Sequence, residues 1–134
     1  MERTLVIVKP DAVARGLVGH VLSRFEAAGF EIVRIRFELL PKDQLQRFYA
    51  EHRDKWYYAR LIDFMLSGPS LFVEMRHEQA IHRARNLVGA TDPCEAAPGT
   101  IRGDLGDNLP RNCVHASDSP ESADREIRTI FGED

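Results

Sequence analysis

The chain has 134 residues, of which 43% are hydrophobic and 29% charged, enough for one core and a water-compatible surface. Its net charge of -3 argues against nucleic acid as a partner, and its longest apolar run, Leu5 to Val8, is only strand length, so no membrane span is expected. Cys94 and Cys113 form neither a disulfide framework nor a zinc pattern, and the Met1-Glu2-Arg3-Thr4 start lacks signal-peptide features, so a cytoplasmic protein is expected.

Thr4 to Val8 is a β-branched run ending at Lys9-Pro10-Asp11, which predicts a strand buried on both faces with Lys9 at its end. Gly16 to Ala28 follows as a helix with Val18, Val21, Leu22 and Phe25 on one face, closed by Gly29. Ile32 to Leu40 alternates strictly, which predicts a half-buried strand with Val33, Ile35, Phe37 and Leu39 inward and Arg34, Arg36 and Glu38 outward. Pro41-Lys42-Asp43 starts a helix through about Glu51, and a second helix runs from about Trp56 to Leu66 with Tyr57 pointing away from its apolar stripe. Leu71 to Met75 is the third strand. Gln79 to Val88 is a helix, with Arg85 at the border of the buried stripe.

Gly89 to Arg111 is read as a long irregular segment, a length that in a compact domain points to function or disorder. A short strand around Val114 then leads to Ser119-Pro120, an N-cap with proline at the first helical position. In the helix that follows, Glu126 shares the side of Ala123 and Ile130, where a carboxylate is costly unless paired. His115 is the nearest obvious partner. The order of elements fits one α+β domain over residues 1–134, a ferredoxin-like split βαβ with a four-stranded antiparallel sheet and packed helices.

Outside that scaffold stand Lys9, Tyr57, Arg85, Thr91, Arg102, Asn112 and His115. Taken singly, a lone histidine or a strand-end lysine is as compatible with a structural or solvated role. Together they offer cations for phosphate oxygens, an amide and a hydroxyl for sugar and bridging oxygens, a flat ring for a base and a titratable nucleophile. No Walker loop or dinucleotide fingerprint occurs, so any phosphate site is built from side chains.

Several stretches resemble the nucleoside diphosphate kinase family over essentially the whole chain. They are Glu2-Arg3-Thr4, Val8-Lys9-Pro10-Asp11, Arg15-Gly16-Leu17-Val18-Gly19, Ser67-Gly68-Pro69, Gly89-Ala90-Thr91-Asp92-Pro93, Pro98 to Asp104 and Asn112 to Ser119. The resemblance implies ping-pong transfer of the γ-phosphate of ATP or another nucleoside triphosphate to a nucleoside diphosphate. It implies that His115 is the catalytic residue, attacking through Nδ1, with Glu126 bonding the other ring nitrogen. It assigns Lys9, Arg85 and Arg102 to the phosphates, Thr91 to the β-phosphate region, Lys9 and Asn112 to the ribose 3′-hydroxyl and Tyr57 to the base. Tyr49 matches a tyrosine near the catalytic histidine.

Magnesium is implied as a cofactor that arrives with the nucleotide, with few or no direct protein ligands and Asp118 available for one of its waters. A homo-oligomer is implied, a dimer stacked into a tetramer or hexamer.

The departures are Trp56-Tyr57-Tyr58 in place of Pro-Phe-Phe, Ala116 in place of glycine and His77 in place of a common glycine, with no role for His77. The chain also ends at Asp134, without the C-terminal extension of many members. A catalytically silent nucleotide-binding module on the same fold is the alternative, yet it predicts loss of His115 or a phosphate cation, and all are present. An RNA-binding split βαβ domain predicts aromatic residues on central strands and a basic face, and neither is legible.

Overall fold

The computed structural model describes residues 1–108 and 111–132. Its centre is a four-stranded antiparallel sheet in the order β2-β3-β1-β4, built from β1 (Glu2–Val8), β2 (Glu31–Glu38), β3 (Ser70–His77) and β4 (Val114–Ala116). The helices are α1 (Pro10–Ala14), α2 (Val18–Ala27), α3 (Lys42–Phe48), α4 (Tyr58–Met65), α5 (Ala80–Val88), α6 (Ile101–Leu105) and α7 (Pro120–Phe131). The fold class and the order of strands match the expectation from sequence, while α1 and α6 are additional helices.

The pleat of β1 sorts its side chains into two cores. Val6 and Val8 point to a cluster with Val21 and Phe25 of α2, Ala84 and Val88 of α5 and Ile101 of α6. Leu5 and Ile7 point to the opposite cluster, with Leu45 and Phe48 of α3, Ile62 and Met65 of α4 and Ile127 and Ile130 of α7. Both faces of β1 are therefore covered, as its unbroken apolar run predicts.

Two short helices were not legible as such. α1 starts directly after Lys9, with Pro10 in its first turn, a position where proline's missing N–H costs nothing. α6 interrupts the segment read as irregular, and Thr100 caps it by accepting a hydrogen bond from Gly103 N at 3.1 Å. A Cβ on Gly103 would lie 2.2 Å from Ala97 O, so the turn closes only around a glycine.

The alternation in β2 is real, but its phase is opposite to the prediction. Val33, Ile35, Phe37 and Leu39 are 42%, 50%, 55% and 48% exposed. Arg34 and Arg36 lie under α7 instead. Arg34 Nε donates to Glu74 Oε1 at 2.6 Å with its guanidinium 4.7 Å from the Phe131 ring centre, and Arg36 Nη1 donates to Ile130 O at 2.6 Å. A period of two fixes that the faces differ and says nothing about which one meets the core. The register shift between Ile32 and Arg34 and the paired arginine stems decide it here.

Candidate active site

His115 sits in the middle of β4, directly opposite Ile7 of β1. Cross-strand partners share a face, so its ring points to the side covered by α3, α4 and α7. There His115 Nε2 lies 2.9 Å from Glu126 Oε1 of α7, and the Phe48 ring packs edge-on with centres 5.7 Å apart. Glu126 is 4% exposed. Its Oε1 also accepts from Ser117 Oγ at 2.7 Å, while Ser117 Oγ accepts from Leu5 N at 3.0 Å.

Burial pushes the Glu126 carboxyl up. The charge and hydrogen bond of His115, the Ser117 hydroxyl and Arg125 outweigh it, so the group lies below the usual carboxylate range. An ionised carboxylate only accepts, so Nε2 carries a proton, and in the neutral imidazole the lone pair then falls on Nδ1.

The other candidates gather around that imidazole. Lys9, Tyr57, Arg85, Thr91, Arg102, Asn112 and His115 all line one cleft of about 390 Å³, along with Tyr49, Asp118 and Glu126. Lys9 reaches it because β1 ends there, held by Lys9 N donating to Cys113 O at 2.8 Å. Its Nζ donates to Asn112 Oδ1 at 2.9 Å, and Asn112 Nδ2 donates to Thr91 O at 2.9 Å, tying β1, the segment before β4 and the segment after α5 together. Arg102 of α6 donates to Gly89 O at 3.1 Å and Val114 O at 2.8 Å. Its buried Nε has no acceptor among the described residues. Arg85 of α5 donates to Ala116 O at 3.3 Å.

This cluster of cations is electrically strained. Burial, and then Arg102, lowers Lys9 to about 8. Burial, and then Arg85, lowers Arg102 to about 10. Buried cations crowded this closely, with burial and mutual repulsion outweighing the nearby Asp11 charge at Lys9, form a site that gains by taking an anion. Tyr49 is 5% exposed, and burial followed by the Glu126 charge raises its phenol above the usual range. Cys113 supports the site from below. Its φ is 73°, Asp11 Oδ2 accepts from its N at 3.0 Å and its Sγ donates to Leu105 O at 3.2 Å. Burial, and then Asp11, pushes its thiol up to about 11.

At the other end of the cleft stand side chains not singled out from sequence: Glu51, His52, Arg60 and Leu61. They come from the turn between α3 and α4 and from α4 itself. For Arg60 and Leu61 the helical spacing from Tyr57 was the available signal, whereas Glu51 and His52 precede that helix and reach the cleft through the fold. Among the described residues, no three His, Cys, Asp or Glu side chains cluster as metal ligands.

The sequence model of the Nucleoside diphosphate kinase family matches residues 2–134. A nucleoside diphosphate kinase of Archaeoglobus fulgidus is 51% identical over 134 residues, covering 100% of this chain and 89% of that protein. One from Methanococcus maripaludis is 52% identical over 132 residues, covering 98% and 99%. Among solved structures, the Aquifex aeolicus nucleoside diphosphate kinase superposes with a TM-score of 0.95 at 43% identity, covering 97% of this chain and 94% of that one. A halophilic nucleoside diphosphate kinase from Halobacterium salinarum, solved in complex with CDP, gives 0.95 at 41% identity, covering 98% and 88%. The chain belongs to the nucleoside diphosphate kinase family.

Proposed function

We propose that His115 is the phosphoryl carrier through which this phosphotransferase moves the γ-phosphate of a nucleoside triphosphate to a nucleoside diphosphate. The observation that supports it is the bond from His115 Nε2 to Glu126 at 2.9 Å, which reserves Nδ1 of the neutral imidazole as the nucleophile of a ring that lines the same cleft as Lys9, Arg85 and Arg102. In the first half-reaction Nδ1 attacks the γ-phosphorus, a P–N bond forms, the bond to the β,γ-bridging oxygen breaks and the diphosphate leaves. In the second, a diphosphate oxygen takes the phosphoryl group back from Nδ1. Glu126 offsets the positive charge that grows on the imidazole as the P–N bond forms.

Each neighbour has a task set by its chemistry. Lys9, Arg85 and Arg102 neutralise phosphate oxygens, with the unmet Arg102 Nε as a donor that an oxygen would satisfy. Thr91 bonds the β-phosphate region, and Lys9 and Asn112 reach the ribose 3′-hydroxyl. Tyr57 gives the base a stacking face that any base can use. A magnesium ion bound with the nucleotide supplies further neutralisation of the phosphate oxygens. Asp118, which lines the cleft, would bond a water of such an ion, whose other ligands would be phosphate oxygens and water.

We also assign residues 1–134 to a single domain that acts in the cytoplasm as a homo-oligomer built on dimers. No described helix is long and apolar enough to cross a membrane. The support for assembly is the exposed stripe of Val33, Ile35, Phe37 and Leu39 on an edge strand. Such an edge pairs readily with its own two-fold copy.

The test is single-turnover labelling. The protein is mixed with γ-labelled ATP and magnesium, isolated, and challenged with GDP or CDP, beside His115→Ala. An acid-labile, base-stable label that discharges to either diphosphate and is absent from the variant establishes the shuttle. ATP binding without labelling refutes it and leaves the silent nucleotide-binding module.

A further inference from the structure

Away from the phosphates, the cleft has an aromatic floor with a charged rim. The Tyr57 hydroxyl lies 3.3 Å from His52 Nδ1, a hydrogen bond that fixes the plane of the ring. Trp56, 80% exposed, stands perpendicular to it at 89° with centres 5.7 Å apart. The Arg60 guanidinium lies 5.8 Å from the Trp56 ring centre.

Arg60 is one turn beyond Tyr57, where a helix places side chains on one face, and it lines the same cleft. No carboxylate among the described residues forms an ion pair with it. An arginine held at a cleft mouth by an aromatic ring, and spent on no internal partner, has its donors available to whatever the cleft binds.

We propose that Arg60 is a specificity-determining residue that ranks bases by the group on their outer edge, favouring a carbonyl at purine C6 or pyrimidine C4 over an amino group there. The inference rests on the reading that the base stacks on Tyr57. Stacking accepts every base alike, since each has a flat face. The edge of a base lying on Tyr57 faces the rim, and there a guanidinium has only donors to offer. A carbonyl accepts from it, as guanine O6 does from arginine. An exocyclic amino group meets it donor to donor. Hypoxanthine, guanine, uracil and thymine are therefore preferred to adenine and cytosine, on top of broad tolerance.

The experiment compares kcat/KM for IDP against ADP, and for UDP against CDP, as phosphoryl acceptors from one fixed donor. The members of each pair differ along that edge. Wild type favours the carbonyl member of both pairs by about threefold or more, the value of one partly exposed hydrogen bond. Arg60→Ala brings both ratios to unity, and Tyr57→Ala lowers kcat/KM for all acceptors. Each ratio is internal to one preparation, so a partly unfolded variant lowers both members and leaves the ratio alone. Equal use of both members by wild type, or a preference that survives Arg60→Ala, overturns the Arg60 assignment only. A Tyr57→Ala variant with unchanged kcat/KM on every acceptor removes the base platform and the inference with it.

Discussion

β4 and β2 close the two edges of one sheet, and their residues depart from ordinary patterning in opposite ways. Around β4 the unusual feature is polarity inside: Glu126, Ser117, Asn112, Lys9 and Arg102 are each buried to 5% exposure or less. Along β2 it is apolarity outside, with Ile35 and Phe37 at least half exposed. Buried polar groups cost free energy unless every one is partnered, and an exposed apolar edge invites pairing. The inner departure is offset by hydrogen bonds and by the anion the cations can take. The outer one would be offset by burial against another copy in the proposed assembly. Departures of this kind mark the places where stability has been given up for something else.

The largest effect that can break this account is at β4. His115→Ala abolishes the phosphoenzyme and lowers kcat by on the order of 10⁴-fold or more, as loss of a covalent nucleophile does; a variant that still takes label on another residue would end the assignment. Glu126→Gln comes next. Its amide preserves shape but not charge, and kcat falls by roughly 10²-fold while circular dichroism stays native. The wild-type carboxyl has a depressed folded value. Its contribution to stability is therefore present above the unfolded carboxylate range and lost as pH falls through the folded value. Acid unfolding of Glu126→Gln should lack that component. An unchanged acid profile means the pair does not carry it.

The contrast between the edges also explains what the sequence disclosed. The β4 side was legible because each residue there is chemically singular: a histidine in a small-residue strand, a carboxylate on an apolar stripe, a lysine at a strand's end. Those types keep their meaning whatever their neighbours. The phase of β2 was not legible, because the alternation of Val33, Ile35 and Phe37 looks the same whether that face meets the core or lies exposed, as it does here. Arg34 and Arg36 are half-buried through partners distant in sequence, Glu74 and Ile130 O. α1 and α6 were missed for a different reason. Each has only five residues, too few to show helical periodicity, and their ends are set by Pro10 and by Thr100. Arg60 and His52 gained meaning only once the fold set them beside Tyr57.

At β2 the comparison can be sharpened with Ile35→Glu/Phe37→Glu. Both sites are already exposed, so the fold of a single chain is little affected. Two carboxylates facing their symmetry mates should weaken association by about 10²-fold, read by sedimentation velocity across concentrations. An assembly that survives the double variant would place the interface elsewhere, and the exposed stripe would then lack its explanation.

The smallest effect separates stability from activity at Lys9, where the β4 site meets its own cost. The folded value is about 8 against an ordinary 10.5, from burial first and Arg102 second. Between those values the unfolded chain binds more protons at Lys9 than the folded one, so this residue makes the protein more stable as pH rises through the window. On the proposed function, phosphate recognition should run the other way, because the charge that would meet the anion is the one being lost. In the free enzyme, kcat/KM should therefore fall above about pH 8, by about tenfold at one pH unit beyond the midpoint if the neutral amine is inactive. Lys9→Arg keeps its charge throughout, so its alkaline limb should move to higher pH even though the longer fork disturbs Asn112 and lowers the plateau. A limb that stays in place in Lys9→Arg belongs to another group, and burial of Lys9 is then a feature of packing alone. Opposite pH trends in stability and in kcat/KM over the same window are the signature to look for. Together with a limb that moves in Lys9→Arg, they trace to a single buried amine that is both a burden on the fold and a contact for the phosphate.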